Sequence, residues 1–167
     1  MNLESILHQL VDEKKFRKLR GILEEMNEVD IAEFIQEIEQ EKVVLVFRLL
    51  PKELGAEVFA CLEIDMQEYI INSMSDYELQ KIIEELYIDD AVDMLEELPA
   101  TVVRRVLANA KPDTRALINQ FLQYPDDSAC SIMTAEYIGL KKNMTVEQSF
   151  AYVRRNAVDK ETIYTCS

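Results

Sequence analysis

Carboxylates are the side chains with the most potential for chemistry in this sequence. Residues 51–100 contain fourteen Asp or Glu residues against only Lys52 and Lys81, so this segment carries −12 of the total charge of −14. Asp89 and Asp93 are four residues apart, a spacing that places both on one face of a helix. Such a surface favours cations or basic protein surfaces as partners, and it repels nucleic acid and anionic lipid headgroups.

The same two aspartates also have a purely structural explanation. Both would lie near a helix N-terminus, where negative charge is favourable, and Asp89 stands at a position where an N-cap is expected. From the residues alone, capping is favoured over metal binding, and both interpretations stay open. The neighbouring Asp90, Glu96 and Glu97 are expected to be solvated surface residues.

Catalysis and structural zinc find little support in the motifs of the chain. The sequence has no nucleophile elbow, phosphate-binding loop or HExxH motif. It has no CxxC motif either, since its cysteines are far apart: Cys61, Cys130 and Cys166. The only histidine, His8, is expected at an exposed helix position rather than as a ligand or base. We therefore predict that the protein is not an enzyme.

Basic residues are few, and two adjacent pairs of arginines stand out, Arg104-Arg105 and Arg154-Arg155. Either pair could meet the acidic face within one subunit or between subunits. Solvated surface is the favoured interpretation of both pairs, because charged side chains are seldom buried.

A period of twelve residues organises the chain from about residue 14 to residue 122. Within each unit, apolar residues recur at spacings of three and four, the pattern of one helical face. Each unit is predicted to be a helix of roughly eight or nine residues plus a tight turn, stabilised by stacking on its neighbours. A capping box is predicted at Ser75–Glu78, and N-caps are predicted at Asp65, Asp89, Thr101 and Asp113. The apolar positions that define the period are Leu50, Leu62, Met74, Leu86, Leu98 and Ala110.

The pattern changes after the turn-rich stretch 124–128. Residues 137–140 are predicted to form a short strand, a capping box at Thr145–Gln148 to open a helix, and residues 162–165 to form a second strand. This βα unit has no sheet to complete it, so we expect the chain to be a fragment of a longer protein. It has no apolar stretch of the roughly 20 residues that a membrane span needs, so the fragment itself is expected to be soluble.

Two repeat units, Leu50–Val58 and Asp89–Pro99, resemble the N-terminal domain of the MgtE family of magnesium transporters. The junction Tyr124–Ala129, followed by Met133-Thr134, resembles the passage of that family into its pair of CBS domains. The family usually has glycine after the junction alanine, whereas this chain has Cys130. Similar helical units occur in flagellar motor switch proteins, so the junction makes the resemblance more specific than the repeat alone does.

The resemblance implies a mainly α fold, a right-handed superhelix of short helices with a 12-residue repeat, followed by an incomplete α/β CBS segment. Met144–Glu147 looks like the first CBS helix, and Glu161–Tyr164 looks like the strand after it. The predicted domains are residues 1–124, an MgtE N-terminal-type helical-repeat domain, and residues 125–167, the junction and a truncated first CBS domain.

The resemblance also implies a function, the cytosolic Mg²⁺-sensing and gating part of a magnesium transporter or channel at the cytoplasmic face of the bacterial inner membrane. Mg²⁺ bridging acidic surfaces would hold the pore of a homodimer closed. By resemblance, the Mg²⁺ ligands of this domain would be Glu57, Asp89 and Asp93, and partner carboxylates would come from the CBS region. The resemblance also implies that this domain associates with the protein's own CBS and transmembrane domains. The alternative is a helical-solenoid protein-interaction scaffold, of the motor-switch or armadillo kind, with no metal role.

Overall fold

Helices recur through the structure with the twelve-residue period of the sequence. The computed structural model describes residues 3–125, 128–130, 133–135 and 137–157. These ranges contain eleven α-helices, and each helix from α3 to α10 begins twelve residues after the one before it. The bounds are α1 Leu3–Asp12, α2 Phe16–Leu23, α3 Glu28–Glu37, α4 Gln40–Phe47, α5 Lys52–Ala60, α6 Ile64–Ser73, α7 Asp76–Glu85, α8 Ile88–Glu97, α9 Ala100–Asn109, α10 Pro112–Phe121 and α11 Val146–Asn156.

The apolar positions of the repeat form one continuous core. Adjacent pairs in successive helices, such as Ile70-Ile71 and Ile82-Ile83, are buried, and so are the period-defining residues Leu62, Met74 and Leu86 in the turns. A helix of eight to ten residues is marginal alone. Burial of one such apolar side chain is worth about 1.5–3 kcal/mol, so stacking supplies the stability that each helix lacks.

Several helices from α3 onward pack against the second helix further along the chain, whereas α1 packs against α2 and α3 also contacts α4. Contacts join α3 to α5, α5 to α7 and α7 to α9, and others join α4 to α6 and α8 to α10. Further contacts join α5 to α8 and α6 to α9. This arrangement confirms the predicted mainly α fold of stacked short helices.

The N-caps lie two residues earlier than predicted. The caps of α6, α8, α9 and α10 are Glu63, Tyr87, Pro99 and Lys111, and none of these side chains caps its helix. The predicted caps, Asp65, Asp89, Thr101 and Asp113, instead occupy the second helical position. Aspartate is favourable both at an N-cap and in the first turn, where the helix dipole favours negative charge, so composition alone could not separate these positions. The capping box at Ser75 and Glu78 is confirmed.

The C-terminal segment contains one helix in the part of the chain that the structure describes. Helix α11 begins after a capping box of Thr145 and Gln148, as predicted. The predicted strand at residues 137–140 is wrong, because that segment has no regular secondary structure, and a strand needs a hydrogen-bonded partner to form. The predicted strand at residues 162–165 lies outside the described residues. No helix in the described ranges is long and apolar enough to cross a membrane.

Arg105 is a structural residue, which corrects the prediction that both members of the Arg104-Arg105 pair are solvated. From α9, its Nη1 donates to the Ile71 carbonyl at 2.6 Å and its Nη2 donates to the Met74 carbonyl at 2.6 Å. Nη2 also donates to Oδ1 of Asp76 at 2.9 Å. The half-buried guanidinium therefore satisfies carbonyl groups at the end of α6 and holds the start of α7 beside them. Arg104 is exposed, as predicted.

An ion pair joins Glu78 at the start of α7 to Arg48 just after α4. Nε of Arg48 donates to Oε1 of Glu78 at 2.8 Å, and Nη2 donates to Oε2 at 3.2 Å. Glu78 Oε2 also accepts from the backbone N–H of Ser75 at 2.9 Å. The Arg48 hydrogen bond and then the bonds from Ser75 lower the pKa of Glu78 to about 2. One carboxylate thus caps its own helix and ties it to another part of the superhelix.

Replacing Arg105 with glutamine is expected to lower the free energy of unfolding by about 2–3 kcal/mol, the value of charge-assisted hydrogen bonds to half-buried groups. The matched control is Arg104→Gln, which removes the same charge from the same helix and should change stability by less than about 0.5 kcal/mol. Urea unfolding followed by circular dichroism measures both. Equal effects in the two variants would contradict the structural role of Arg105.

Replacing Glu78 with glutamine is expected to lower the free energy of unfolding by about 1 kcal/mol at neutral pH, because the substitution weakens both a helix cap and an ion pair. A carboxyl whose pKa is depressed in the folded state loses its contribution as pH falls from its ordinary value of 4.5 towards about 2. The stability difference between parent and variant should therefore shrink over that range in urea titrations. A difference that is the same at all pH values would exclude ionisation of Glu78 as its origin.

Candidate metal-binding surface

The acidic residues of α8 lie on the face opposite its core contacts. Helix α8 buries Ile88, Ala91, Val92, Met94 and Leu95. The remaining side chains of the helix are carboxylates, because its sequence is Ile-Asp-Asp-Ala-Val-Asp-Met-Leu-Glu-Glu. The twelve-residue repeat fixes which face is buried, so it also forces these negative charges to share the outer face.

Asp89 has a carboxylate oxygen with no partner. The residue is half-buried at the second position of α8, and its Oδ1 is shielded from solvent without a hydrogen-bond partner among the described residues. Leaving a buried polar atom unsatisfied costs about 1–3 kcal/mol, and more for a charged group. Capping therefore does not account for Asp89, since its side chain does not cap α8. A bound cation would satisfy this oxygen.

Asp93 lies one turn after Asp89 and is exposed over only part of its surface. Partial burial raises the pKa of Asp93 above its ordinary range, and the negative charges of Asp89 and Glu97 raise it further. The structure thus brings Asp89 and Asp93 together, as their spacing predicts. The pair is electrostatically unfavourable in the absence of a cation, which is the condition that favours metal binding.

Glu57 lies on α5, in an acidic cleft rather than beside the aspartate pair. The cleft has a volume of about 380 Å³, and Glu57 lines it together with Glu28, Glu85 and Asp90. Neither Asp89 nor Asp93 is among the residues that line it. Helices α5 and α8 pack against each other. The three predicted ligands therefore lie on two contacting helices without forming a closed three-ligand site.

Asp90 and Cys61 contribute to the same cleft. Asp90 is half-buried and lines the cleft, which corrects its prediction as a solvated surface residue, whereas Glu96 and Glu97 are exposed as predicted. Burial raises the pKa of the Cys61 thiol, and the charges of Glu28, Asp90 and Glu57 raise it further. Since the thiolate is the form that binds metals and acts as a nucleophile, Cys61 is a poor candidate for either role.

One group of three potential metal ligands occurs in the described ranges, and it is not the predicted one. Single ligand atoms of Glu4, His8 and Glu37 all lie within 4.8 Å of one another. His8 is half-buried rather than exposed as predicted, and its place in this group makes it a candidate ligand. The spacing of Glu4 and His8 on one helix was visible in the sequence, but the approach of Glu37 from α3 was not.

Comparisons with known proteins identify similar chains. The family model of the MgtE intracellular N domain matches residues 26–127. The magnesium transporter MgtE of Thermus thermophilus is 35% identical over 162 residues, and that of Bacillus subtilis is 21% identical over 154 residues. These alignments cover 95% and 92% of this chain but only 36% and 34% of the two relatives.

Two solved structures have a similar fold. One is the cytosolic domain of the Mg²⁺ channel MgtE in complex with ATP, with a TM-score of 0.85 and 35% identity, over 97% of this chain and 66% of that one. The other is the soluble part of a magnesium transporter, with a TM-score of 0.85 and 23% identity, over 96% of this chain and 64% of that one. At its lower identity, the second similarity shows the fold alone.

Replacing Asp93 with asparagine is expected to stabilise the chain in metal-free buffer at neutral pH. The substitution removes two like-charge contacts, with Asp89 and Glu97, that together cost about 0.5–1 kcal/mol. Because the pKa of Asp93 is raised, the folded state binds more protons than the unfolded state at pH values just above 3.8, the ordinary pKa of this group. The contribution of Asp93 to the free energy of unfolding therefore falls as pH rises through that window. The gain in Tm over the parent should therefore grow from acidic to neutral pH.

The control for this substitution is Asp113→Asn, which removes the same charge from the first turn of α10. There the helix dipole favours the carboxylate, so the control should lose about 0.3–1 kcal/mol. Thermal unfolding followed by circular dichroism measures both variants. An Asp93→Asn variant that is less stable than the parent at neutral pH would contradict the repulsion described for α8.

Proposed function

The chain belongs to the MgtE intracellular N domain family, and from that premise we propose that it is the Mg²⁺-sensing, gating part of a magnesium transporter. The observation that carries the proposal is the unpartnered Oδ1 of Asp89 beside the electrostatically unfavourable Asp93. These two residues are the proposed Mg²⁺ ligands on α8. Glu57 is the proposed Mg²⁺ ligand on α5, the helix that packs against α8, and it would bind Mg²⁺ in the acidic cleft rather than on the ion held by Asp89 and Asp93.

The donor atoms of this surface suit Mg²⁺. Mg²⁺ prefers oxygen ligands in octahedral geometry and loses its water reluctantly, so it is commonly held by one or two carboxylates plus water. Two aspartates one helical turn apart can hold a partly hydrated ion on a single helix face. Such an ion keeps coordination positions open for a second surface. An incomplete site on this chain is therefore what a sensor that acts between two domains requires.

The proposed mechanism is a change in the free energy of an interface. With Mg²⁺ bound, the negative charge of α8 is neutralised, and acidic surfaces can approach and hold the pore closed. When Mg²⁺ is scarce, carboxylates on facing surfaces repel one another, the domain swings away and the pore can open. A ligand shifts such an equilibrium only if its affinities for the two states differ. A site shared by the two facing surfaces supplies that difference.

The other half of the proposed interface belongs to the rest of the transporter. The chain spans 36% and 34% of the two curated relatives, which are magnesium transporters. We place residues 1–124 in the helical-repeat domain and residues 125–167 in the junction and first CBS domain. Within a homodimer at the cytoplasmic face of the bacterial inner membrane, the CBS region would supply the facing carboxylates and the transmembrane region the pore.

Mg²⁺ is expected to raise the Tm of the chain saturably at constant ionic strength. A ligand that binds only the folded state stabilises it by about 2.7 kcal/mol at a hundredfold excess over Kd. The double variant Asp89→Asn/Asp93→Asn should lose the rise. Differential scanning fluorimetry against Mg²⁺, with Na⁺ adjusted to hold ionic strength, measures both proteins.

The repeat offers a matched control for this experiment. Asp65 and Asp113 occupy the same position in α6 and α10 that Asp89 occupies in α8, so Asp65→Asn/Asp113→Asn removes the same charge from equivalent sites. This control should keep the response to Mg²⁺. A rise that is equal in all three proteins, or that Na⁺ reproduces, would contradict a site on α8 and would favour the alternative of a protein-interaction scaffold.

A further inference from the structure

We propose that Glu4, His8 and Glu37 form a binding site for a divalent transition-metal ion, separate from the carboxylates of α8. The three side chains come from two helices, and one ligand atom from each lies within 4.8 Å of the other two. Bonds to zinc are about 2.0–2.2 Å long, so ligand atoms on one ion lie up to about 4 Å apart. Because Glu4 and Glu37 are exposed, rotation of their side chains can bring the three ligands onto one ion.

The histidine ring is held in position by the core. Helix α1 buries Leu7, Leu10 and Val11, which fixes the face on which Glu4 and His8 lie one turn apart. The His8 ring packs edge-on against Phe34, with ring centroids 5.4 Å apart and an interplanar angle of 75°. Phe34 is itself buried on α3. A ligand whose ring is already oriented loses little conformational freedom when it binds a metal.

A cleft beside the three ligands supplies further acidic groups and room for water. It has a volume of about 290 Å³, and Asp30 and Glu33 line it together with Glu4 and Glu37. No lysine or arginine is among the described residues that line it. Close carboxylates repel one another, so this cleft attracts cations, and its waters can complete the coordination of a bound ion.

The donor set selects the class of metal. An imidazole nitrogen with two carboxylates suits Zn²⁺ and similar first-row ions, whereas Mg²⁺ prefers oxygen ligands alone. The proposed site therefore differs in chemistry from the all-oxygen pair Asp89 and Asp93. Its ion would join the N-terminal helix α1 to the end of α3, so bound metal would fasten α1 to the superhelix.

The experiment uses the 167-residue chain, in which His8 is the only histidine. Its two ring C–H protons therefore give unambiguous NMR signals. The chain carries Cys61→Ser, Cys130→Ser and Cys166→Ser to remove thiol ligands, and it is freed of metal with EDTA. One equivalent of Zn²⁺ should shift both ring signals, and further Zn²⁺ should cause no further shift. Excess Mg²⁺ should leave both signals at their metal-free positions.

Glu37→Gln keeps the reporter and removes one ligand from the exposed end of α3, so it should weaken Zn²⁺ binding about tenfold or more. The matched control Glu25→Gln, at an exposed glutamate outside the cleft, should bind as the parent does. Asp89→Asn/Asp93→Asn should also bind Zn²⁺ unchanged, which separates this site from the Mg²⁺ surface. Ring signals that Zn²⁺ does not move, or a Glu37→Gln variant with unchanged affinity, would overturn the proposal.

Discussion

The unpaired ends of very short helices are the constraint on which this structure depends. A helix leaves four N–H groups at its start and four carbonyl groups at its end without partners inside the helix, and helices of eight to ten residues consist largely of such ends. Polar side chains from other repeats add hydrogen bonds at several of these ends. Gln67 donates to the Phe59 carbonyl at 2.9 Å, Gln36 accepts from the backbone N–H of Glu63 at 3.0 Å, and Arg105 binds two carbonyl groups of the α6 end. These contacts make the repeats interdependent.

Burial on one side of each helix concentrates charge on the other. The apolar face of α8 packs into the core, and the five carboxylates of that helix share its other face. Elsewhere, ion pairs between distant repeats offset negative charge, as between Arg48 and Glu78 or between Lys111 and Glu84. Around Asp93 the charges of Asp89 and Glu97 add to the cost of partial burial instead. A bound cation would stabilise a surface of this kind because its own charges oppose one another, which agrees with the proposed Mg²⁺-sensing role.

The two proposed metal sites differ in the helices that supply their ligands and in the kinds of ligand atom. Asp89 and Asp93 come from one helix, offer oxygen alone and leave coordination positions open, an arrangement suited to an ion shared with a second surface. Glu4, His8 and Glu37 come from two helices and combine nitrogen with oxygen, an arrangement suited to an ion that joins elements of the same chain. The first arrangement fits regulation by a weakly held ion, and the second fits stabilisation of the fold.

The sequence by itself determined the period, the helices and the pairing of Asp89 with Asp93, because all three depend on spacings within one helix or one repeat. It did not determine the position of the N-caps within the repeat, since aspartate is favourable both at the cap and in the first turn. Only the tertiary structure decided that Glu57 shares a cleft with Asp90, that Arg105 binds the end of α6 and that Glu37 meets His8. These contacts join residues about 30 positions apart, and they depend on how the helices stack, which no local pattern records.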